Sequence, residues 1–392
     1  MRIDTAQRRA RLVRRHRLAP AARAKDPVVV ADDLVALHGT DPATVYLSLW
    51  ARLREPEFAA IDRALYDDRR LVRMLGMRRT VFVVPTGLAP VIQAACTRVI
   101  AAQQRKLLVG YLTQAGIDGD VATWLQDVEA GAARALAKRG SAYGAELAGD
   151  EPRLGTKLTL AAGKKYEATI NLTSRVLLLL GADARIVRGR PRGSWISGQF
   201  LWHPVEAWFP GGLEELTVEA AQAELARRWL RSFGPGAAAD LRWWAGWTAR
   251  EVNRALAAVG AVEVELESGP GFVLPGDLEP EAEAGPAVAL LPALDPTTMG
   301  WIGRDWYLGA QAPALFDRTG NAGPTLWWDG RVVGAWAQRP DGEVAVRFLE
   351  DVGREAERQA AAEAERLRSW IGDARITPRA RLRSPLEAEL IK

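Results

Sequence analysis

The chain contains one cysteine, Cys96, and three histidines, His16, His38 and His203, among 392 residues. A lone thiol excludes an internal disulfide and a cysteine-based zinc cage, and three scattered imidazoles offer no metal-ligand spacing, so no metal and no other cofactor is expected. Lysine is also scarce: seven of the 52 basic residues are lysines, and arginine supplies the other 45. No apolar run approaches the roughly 20 residues that a membrane helix requires. The basic start, MRIDTAQRRARLVRRHRLAP, lacks the apolar segment of a secretory signal. No glycine-rich turn has the lysine and helix context of a phosphate-cradling loop. These absences predict a protein of the reducing cytoplasm without a membrane partner. A net charge of +4 is modest for this length, so a nucleic-acid partner has to be sought in how the arginines cluster.

What is present is a globular composition, 48% hydrophobic and 26% charged, on a chain long enough for several domains. The first part reads as an Arg-rich helix, a helix near VVVADDLVALHG, another over DPATVYLSLWARL, a further one at EFAAIDRALYDD, and then the β-rich LVRMLGMRRTVFVVP. Helices followed by a strand pair suggest a winged helix. The order returns in WLQDVEAGAARALAKRGSAYGAELAG and INLTSRVLLLLGADARIVRGRPRGSW, where Gly181 is expected to end a helix and Gly189 and Pro191 to form the turn of a two-stranded ribbon. It returns again in LTVEAAQAELARRWLRSFGPGAAADLRWWAGWTAREVNRALAAVGAVEVELESGPGFVLP. An acidic linker, GDLEPEAEAGP, leads to short strands, with a hairpin signal at Asp329-Gly330, and to a last Glu/Ala/Arg helix. The predicted fold class is α+β, with segments at 1–122, 123–212, 213–285, 286–352 and 353–392. The first three are tandem winged helices, the fourth is β-rich and the fifth is a helix with a basic tail.

Several stretches resemble the winged-helix DNA glycosylase superfamily typified by AlkZ and YcaQ: LVALHGTDPATVYLSLWARL, GMRRTVFVVP, RGRPRGSW, AELARRWLRSFGPGAAADLRWWAG, LLPALDPTTMG and DGRVVGAWAQ. The resemblance implies three winged helices and a C-terminal β-barrel-like domain, C-shaped around a channel for duplex DNA. It also implies excision of alkylated bases, including bulky adducts and crosslinks in some members. Such members place glutamine, any residue, then glutamine or aspartate where this sequence has His38-Gly39-Thr40, and commonly a histidine where Phe82 stands. Asp295 and Arg304 match the family pattern without an assigned role.

An N7- or N3-alkylated purine is a good leaving group, so the chemistry left to the protein is to hold a water and stabilise a cationic sugar. A neutral imidazole accepts that water's proton, which makes His38 the candidate base. Thr40 is the candidate to orient the water, and Asp41 to set negative charge beside the sugar. Asp41 before Pro42 equally matches a helix N-cap with proline at the first helical position. Candidate DNA contacts are Arg78 and Arg79 on the first wing, Arg185, Arg188, Arg190 and Arg192 on the second, and Lys164 and Lys165. The 15 tryptophans, those of LRWWAG and LWWDG included, read as packing residues, and His203 as a hydrogen-bonded histidine. With no lysine beside HGTD, a monofunctional, monomeric, nucleoid-associated glycosylase acting on duplex DNA with alkylated bases is the expectation. The alternatives are a non-catalytic winged-helix regulator or lesion sensor and a protein that sequesters a genotoxic drug.

Overall fold

The computed structural model describes residues 1–160, 163, 167–282, 285–378 and 382–392. Helix α1 (Thr5–Arg15) starts where the Asp4 side chain accepts the Gln7 backbone N–H at 2.8 Å. Its arginines are not all solvated. Arg11 is buried and donates to the carbonyls of Asp277 and Glu279, while Arg15 pairs with the Asp277 carboxylate. The acidic stretch expected to be a linker is therefore the partner of α1.

Helix α2 (Pro27–Asp33) is capped by Asp26, and α3 (Pro42–Trp50) by Asp41 with Pro42 in the first turn. Between them the sequence reading needs correction. The helix expected across VVVADDLVALHG ends at Asp33, Val35 takes φ 65°, and Leu37–His38 form a short strand, β1. Helical spacing yields here because a ready-made hairpin edge lies alongside. That hairpin is β2 (Leu71–Gly76) and β3 (Thr80–Pro85), paired from Leu71↔Pro85 to Gly76↔Thr80 around a tight turn, Met77–Arg79. β1 pairs with β3 as Leu37↔Val83 and His38↔Phe82.

In the second segment β4 (Lys157–Leu160) and β5 (Ala168–Asn171) form a separate pair. The helix Leu172–Ala182 runs through Gly181 and ends at Asp183, so Gly181 is not its cap. Nor do Gly189 and Pro191 sit in a turn. They belong to one strand, β6 (Ile186–Pro191), whose partner β7 (Phe200–Pro204) lies beyond the loop 192–199. At Gly189 a Cβ would sit 2.6 Å from Nε2 of His203 on the neighbouring strand and 3.2 Å from the Leu201 carbonyl, so a larger residue would have to displace the His203 ring. β6 also pairs with β2 at Arg73↔Arg188, so two hairpins distant in sequence join in one five-stranded sheet, β1-β3-β2-β6-β7.

Residues 218–273 contain the helices Val218–Phe233, Ala238–Ala245 and Ala249–Ala258 and the hairpin β8 (Val262–Leu266) and β9 (Gly269–Val273). Gly246 ends the second helix in a left-handed conformation, and Thr248 with Glu251 makes a reciprocal cap for the third. The remaining strands, β10 (Val288–Leu291), β11 (Thr325–Trp328), β12 (Arg331–Gln338) and β13 (Val344–Phe348), form an open antiparallel meander. The expected barrel does not close among the described residues: β10 and β13 remain edges, and the helix Gly353–Ile371 packs across the sheet. One continuous buried cluster runs from Leu12 through Trp229 and Trp327 to Leu390, which ties the carboxyl-terminal part to α1 and α3. No described helix is long and apolar enough to cross a membrane.

Candidate active site and nucleic-acid interface

The segment His38-Gly39-Thr40 lies along the free edge of the β2–β3 hairpin, where the Gly39 N–H donates to the Val81 carbonyl at 2.7 Å. Gly39 is closely packed: a Cβ would meet Nη1 of Arg73 at 2.9 Å and the backbone of Phe82 at 3.3 Å, so any other residue would have to push the Arg73 guanidinium aside. That close approach is a hydrogen bond, Arg73 Nη1 to the Gly39 carbonyl at 2.7 Å. The motif is thus held by β3 on one side and by a β2 side chain on the other.

His38 is 9% exposed and meets Phe82 edge-to-face, with ring centroids 5.6 Å apart. Its ring makes no hydrogen bond to the described residues, and Nδ1 is fully buried without a partner. Burial, and after it the positive charges of Arg78 and Arg73, pushes its pKa down to about 3 against an opposing pull from Asp295. The imidazole is therefore neutral throughout the physiological range. Thr40 is exposed, and its Oγ1 accepts from the Val81 N–H at 3.4 Å. Asp41 occupies the helix-capping position that Asp41-Pro42 suggested. It is buried and accepts the Ala43 N–H at 3.2 Å, so its carboxylate is used at the start of α3.

Arg78 and Arg79 occupy the hairpin turn with φ of 53° and 61°, a left-handed conformation that strains any residue but glycine. Arg78 lies over the ring of Trp243 at 3.9 Å, and Arg304 lies against the same ring at 4.9 Å and against Phe316 at 4.7 Å. Neither guanidinium has a carboxylate within ion-pair distance among the described residues, although Arg304 donates from Nε to the Trp301 carbonyl at 2.8 Å. Trp243, read from sequence as packing, does pack against the core, while its partly exposed face is central to a cationic cluster. The alternation Trp243-Trp244 across one helix, one residue outward and the next buried, is the signal that could have found it.

The other predicted contacts separate. Arg190 pairs with Asp62 and, at 3.0 Å, with Asp67, so its charge is already matched. Arg185 and Arg192 are exposed, the latter over Tyr143 at 5.4 Å. Arg188 is half-buried over Trp202 at 4.6 Å. Lys164 and Lys165 lie outside the described residues. His203 is half-buried beside Trp208, and burial followed by Arg69 lowers its pKa. Burial pushes the Cys96 thiol up to about 12, which leaves it inert.

Asp295 acquires a role that the sequence could not assign. It is 0% exposed and grips the equally buried Arg52 through two oxygens, at 2.6 and 2.9 Å, while Ser48 Oγ and the Thr297 N–H donate to the same carboxylate. Burial pushes this carboxyl up, but Arg52 and the other donors outweigh it and hold it below the usual range. Arg52 also donates to the His16 carbonyl, and the buried His16 ring bonds Thr297 Oγ1 at 2.9 Å. The network fixes α3, which begins directly after the motif, to the segment 293–298.

His16, like His38, has its pKa pushed down to about 3, by burial first and Arg52 second. Both rings bind a proton when the chain unfolds below pH 6.5 and neither does while folded, so this contribution to stability is complete above 6.5 and is lost as pH falls toward 3. We expect unfolding free energy to decline between pH 6.5 and 5 by about 1.4 kcal/mol per pH unit for each ring. Urea titrations across that range should show the slope reduced by one such step in His16→Gln; an unchanged slope would exclude the assignment.

The chain matches the family model described as DNA glycosylase AlkZ-like over residues 31–370. It belongs to the AlkZ-like DNA glycosylase family, and is thus a DNA-binding glycosylase of DNA repair. Among solved structures it is similar to Streptomyces sahachiroi DNA glycosylase AlkZ, with a TM-score of 0.72 at 19% identity over 94% of this chain and 98% of that one. No curated protein sequence matches it.

Proposed function

We propose that the protein removes N7- or N3-alkylated purines, bulky adducts among them, from duplex DNA by water attack on the glycosidic carbon, without subsequent strand cleavage. Residues 218–273 are read as a winged helix, and the two amino-terminal segments as variants of it whose wings have merged into one sheet. The observation that carries the reading is His38: a neutral ring that, among the described residues, makes no hydrogen bond, at a strand edge beside arginines without carboxylate partners there.

The alkylated base leaves with the electron pair of the C1′–N bond, which cancels its formal positive charge. Departure therefore needs little protonation. The water oxygen then bonds to C1′, and its proton passes to the His38 imidazole. A base of such low pKa is weak, but an oxocarbenium-like sugar is a strong electrophile, so orienting the water matters more than basicity. Approaching phosphates offset the charges of Arg78 and Arg73 and raise the pKa of His38 in the complex. Thr40 Oγ1 gives the water a second hydrogen-bond partner. Arg78, Arg79, Arg304 and Trp243 contact the backbone, with Arg185 and Arg192 as outer contacts.

The test is incubation with duplexes bearing N7-methylguanine, N3-methyladenine or a bulky N7 adduct. Release of the modified base, leaving an intact strand with an abasic site, is expected from at least one. Duplex binding without release from any of them would favour the lesion-sensor reading, which the loss of both family glutamines motivates.

A further inference from the structure

Several arginines in this chain use Nε and Nη2 together on a carboxylate. Arg153, Arg366 and Arg368 each grip a carboxylate with that fork. Arg73 does not. It is 4% exposed, its Nη1 holds the Gly39 carbonyl, and both Nε and Nη2 are buried without a partner. The ring of Phe200 lies 4.7 Å from its guanidinium. Directly opposite on the neighbouring strand is Arg188, half-buried over Trp202, with no hydrogen bond or ion pair from its guanidinium among the described residues. Burial and the charge of Arg73 lower the pKa of Arg188 to about 10, which still leaves it charged at neutral pH.

Two adjacent desolvated guanidiniums without a carboxylate destabilise a fold unless an anion compensates them. A bare Nε/Nη2 fork matches two oxygens of a phosphate in geometry as well as charge. We propose that Arg73 and Arg188 form a binding site for one phosphate group, opened when the partly exposed Phe200 ring against Arg73 is displaced and supplied by the DNA backbone beside the nucleotide presented to His38. Because the same Arg73 guanidinium also holds Gly39, phosphate occupancy is joined through a single side chain to the strand that carries His38 and Thr40. Arg73 is thus a positioning residue. The choice of DNA as the source rests on the glycosylase reading; the phosphate site itself does not.

The experiment compares the full chain with Arg188→Met and Arg188→Lys. Thermal unfolding is followed in sodium chloride and in inorganic phosphate of equal ionic strength, and affinity for a duplex with a tetrahydrofuran abasic analogue is measured across salt. The wild type should melt several degrees higher in phosphate than in chloride. Arg188→Met should melt above the wild type in chloride, because an uncompensated charge is gone, and should lose the phosphate gain, while Arg188→Lys keeps part of it. Duplex affinity should fall about tenfold in Arg188→Met, and the slope of log K against log salt should shrink by about 0.9, one phosphate contact. A phosphate gain that depends on Arg188 without a duplex effect supports the site and identifies free phosphate as its ligand. If the gain is absent in the wild type, or survives in Arg188→Met, the proposal is overturned. Failure of the glycosylase reading alone would appear differently, as no base release with the Arg188-dependent phosphate response intact.

Discussion

Alanine at position 38 is expected to slow single-turnover base release by about 10²- to 10⁴-fold, the usual contribution of a positioned general base. Duplex affinity should stay within about twofold, because in the proposed mechanism the ring acts on the reacting nucleotide and the arginines carry the backbone contacts. The local fold should also survive. The strand position of residue 38 is set by backbone pairing with Phe82, and the Gly39 backbone is held by Val81 and Arg73. The substitution removes a buried nitrogen that has no partner, which offsets part of the packing lost against Phe82. Rates should be taken with enzyme in excess, so that product release does not mask the chemical step. Unchanged turnover in His38→Ala would remove this residue from the mechanism, whatever else the protein does.

Asp295→Ala should destabilise the protein by about 3–5 kcal/mol, the cost of leaving one buried charge without its partner. Arg52 would keep only neutral acceptors, the carbonyls of His16 and Ser48 and the Thr297 hydroxyl. A loss of that size is a large share of the roughly 5–15 kcal/mol that holds a domain folded. Urea unfolding of the single variants and of a double Arg52→Met/Asp295→Leu variant gives the decisive comparison. Because breaking the pair costs more than replacing it with apolar groups, the double variant should be more stable than Asp295→Ala. Equal or additive losses would show that the two charges do not act as a pair. Where Asp295→Ala stays folded, its base release should also fall, since the anchor between α3 and segment 293–298 fixes the helix that begins directly after the motif.

The features legible in the sequence were those whose causes lie within a few residues. Asp41-Pro42 starts α3 as its capping chemistry requires, and the alternating, β-branched run around Val81 and Val83 forms the hairpin. Residues 218–273 fold helix by helix as their caps and hydrophobic spacing indicate. The misreadings came where a distant partner decided. Leu37 and His38 have helical spacing but pair with β3, more than 40 residues on. Arg190 looked like a free wing cation, yet Asp62 and Asp67 neutralise it from a separate segment. Trp243 packs against the core as expected, but its partly exposed face also carries Arg78 and Arg304, which local spacing did not indicate.

The sequence by itself determined the order of helices and hairpins, the exclusion of disulfides and cysteine-bound zinc, and the family to which the motifs point, because local propensity, capping and composition act over short distances. Only the tertiary structure decided that, among the described residues, His38 is a buried, neutral ring without a hydrogen-bond partner, that Asp295 clamps Arg52, and that Arg73 and Arg188 face each other without a counter-charge. Burial and charge compensation depend on residues as far as 340 positions away, as in the Arg23–Glu363 pair, and no local pattern encodes them.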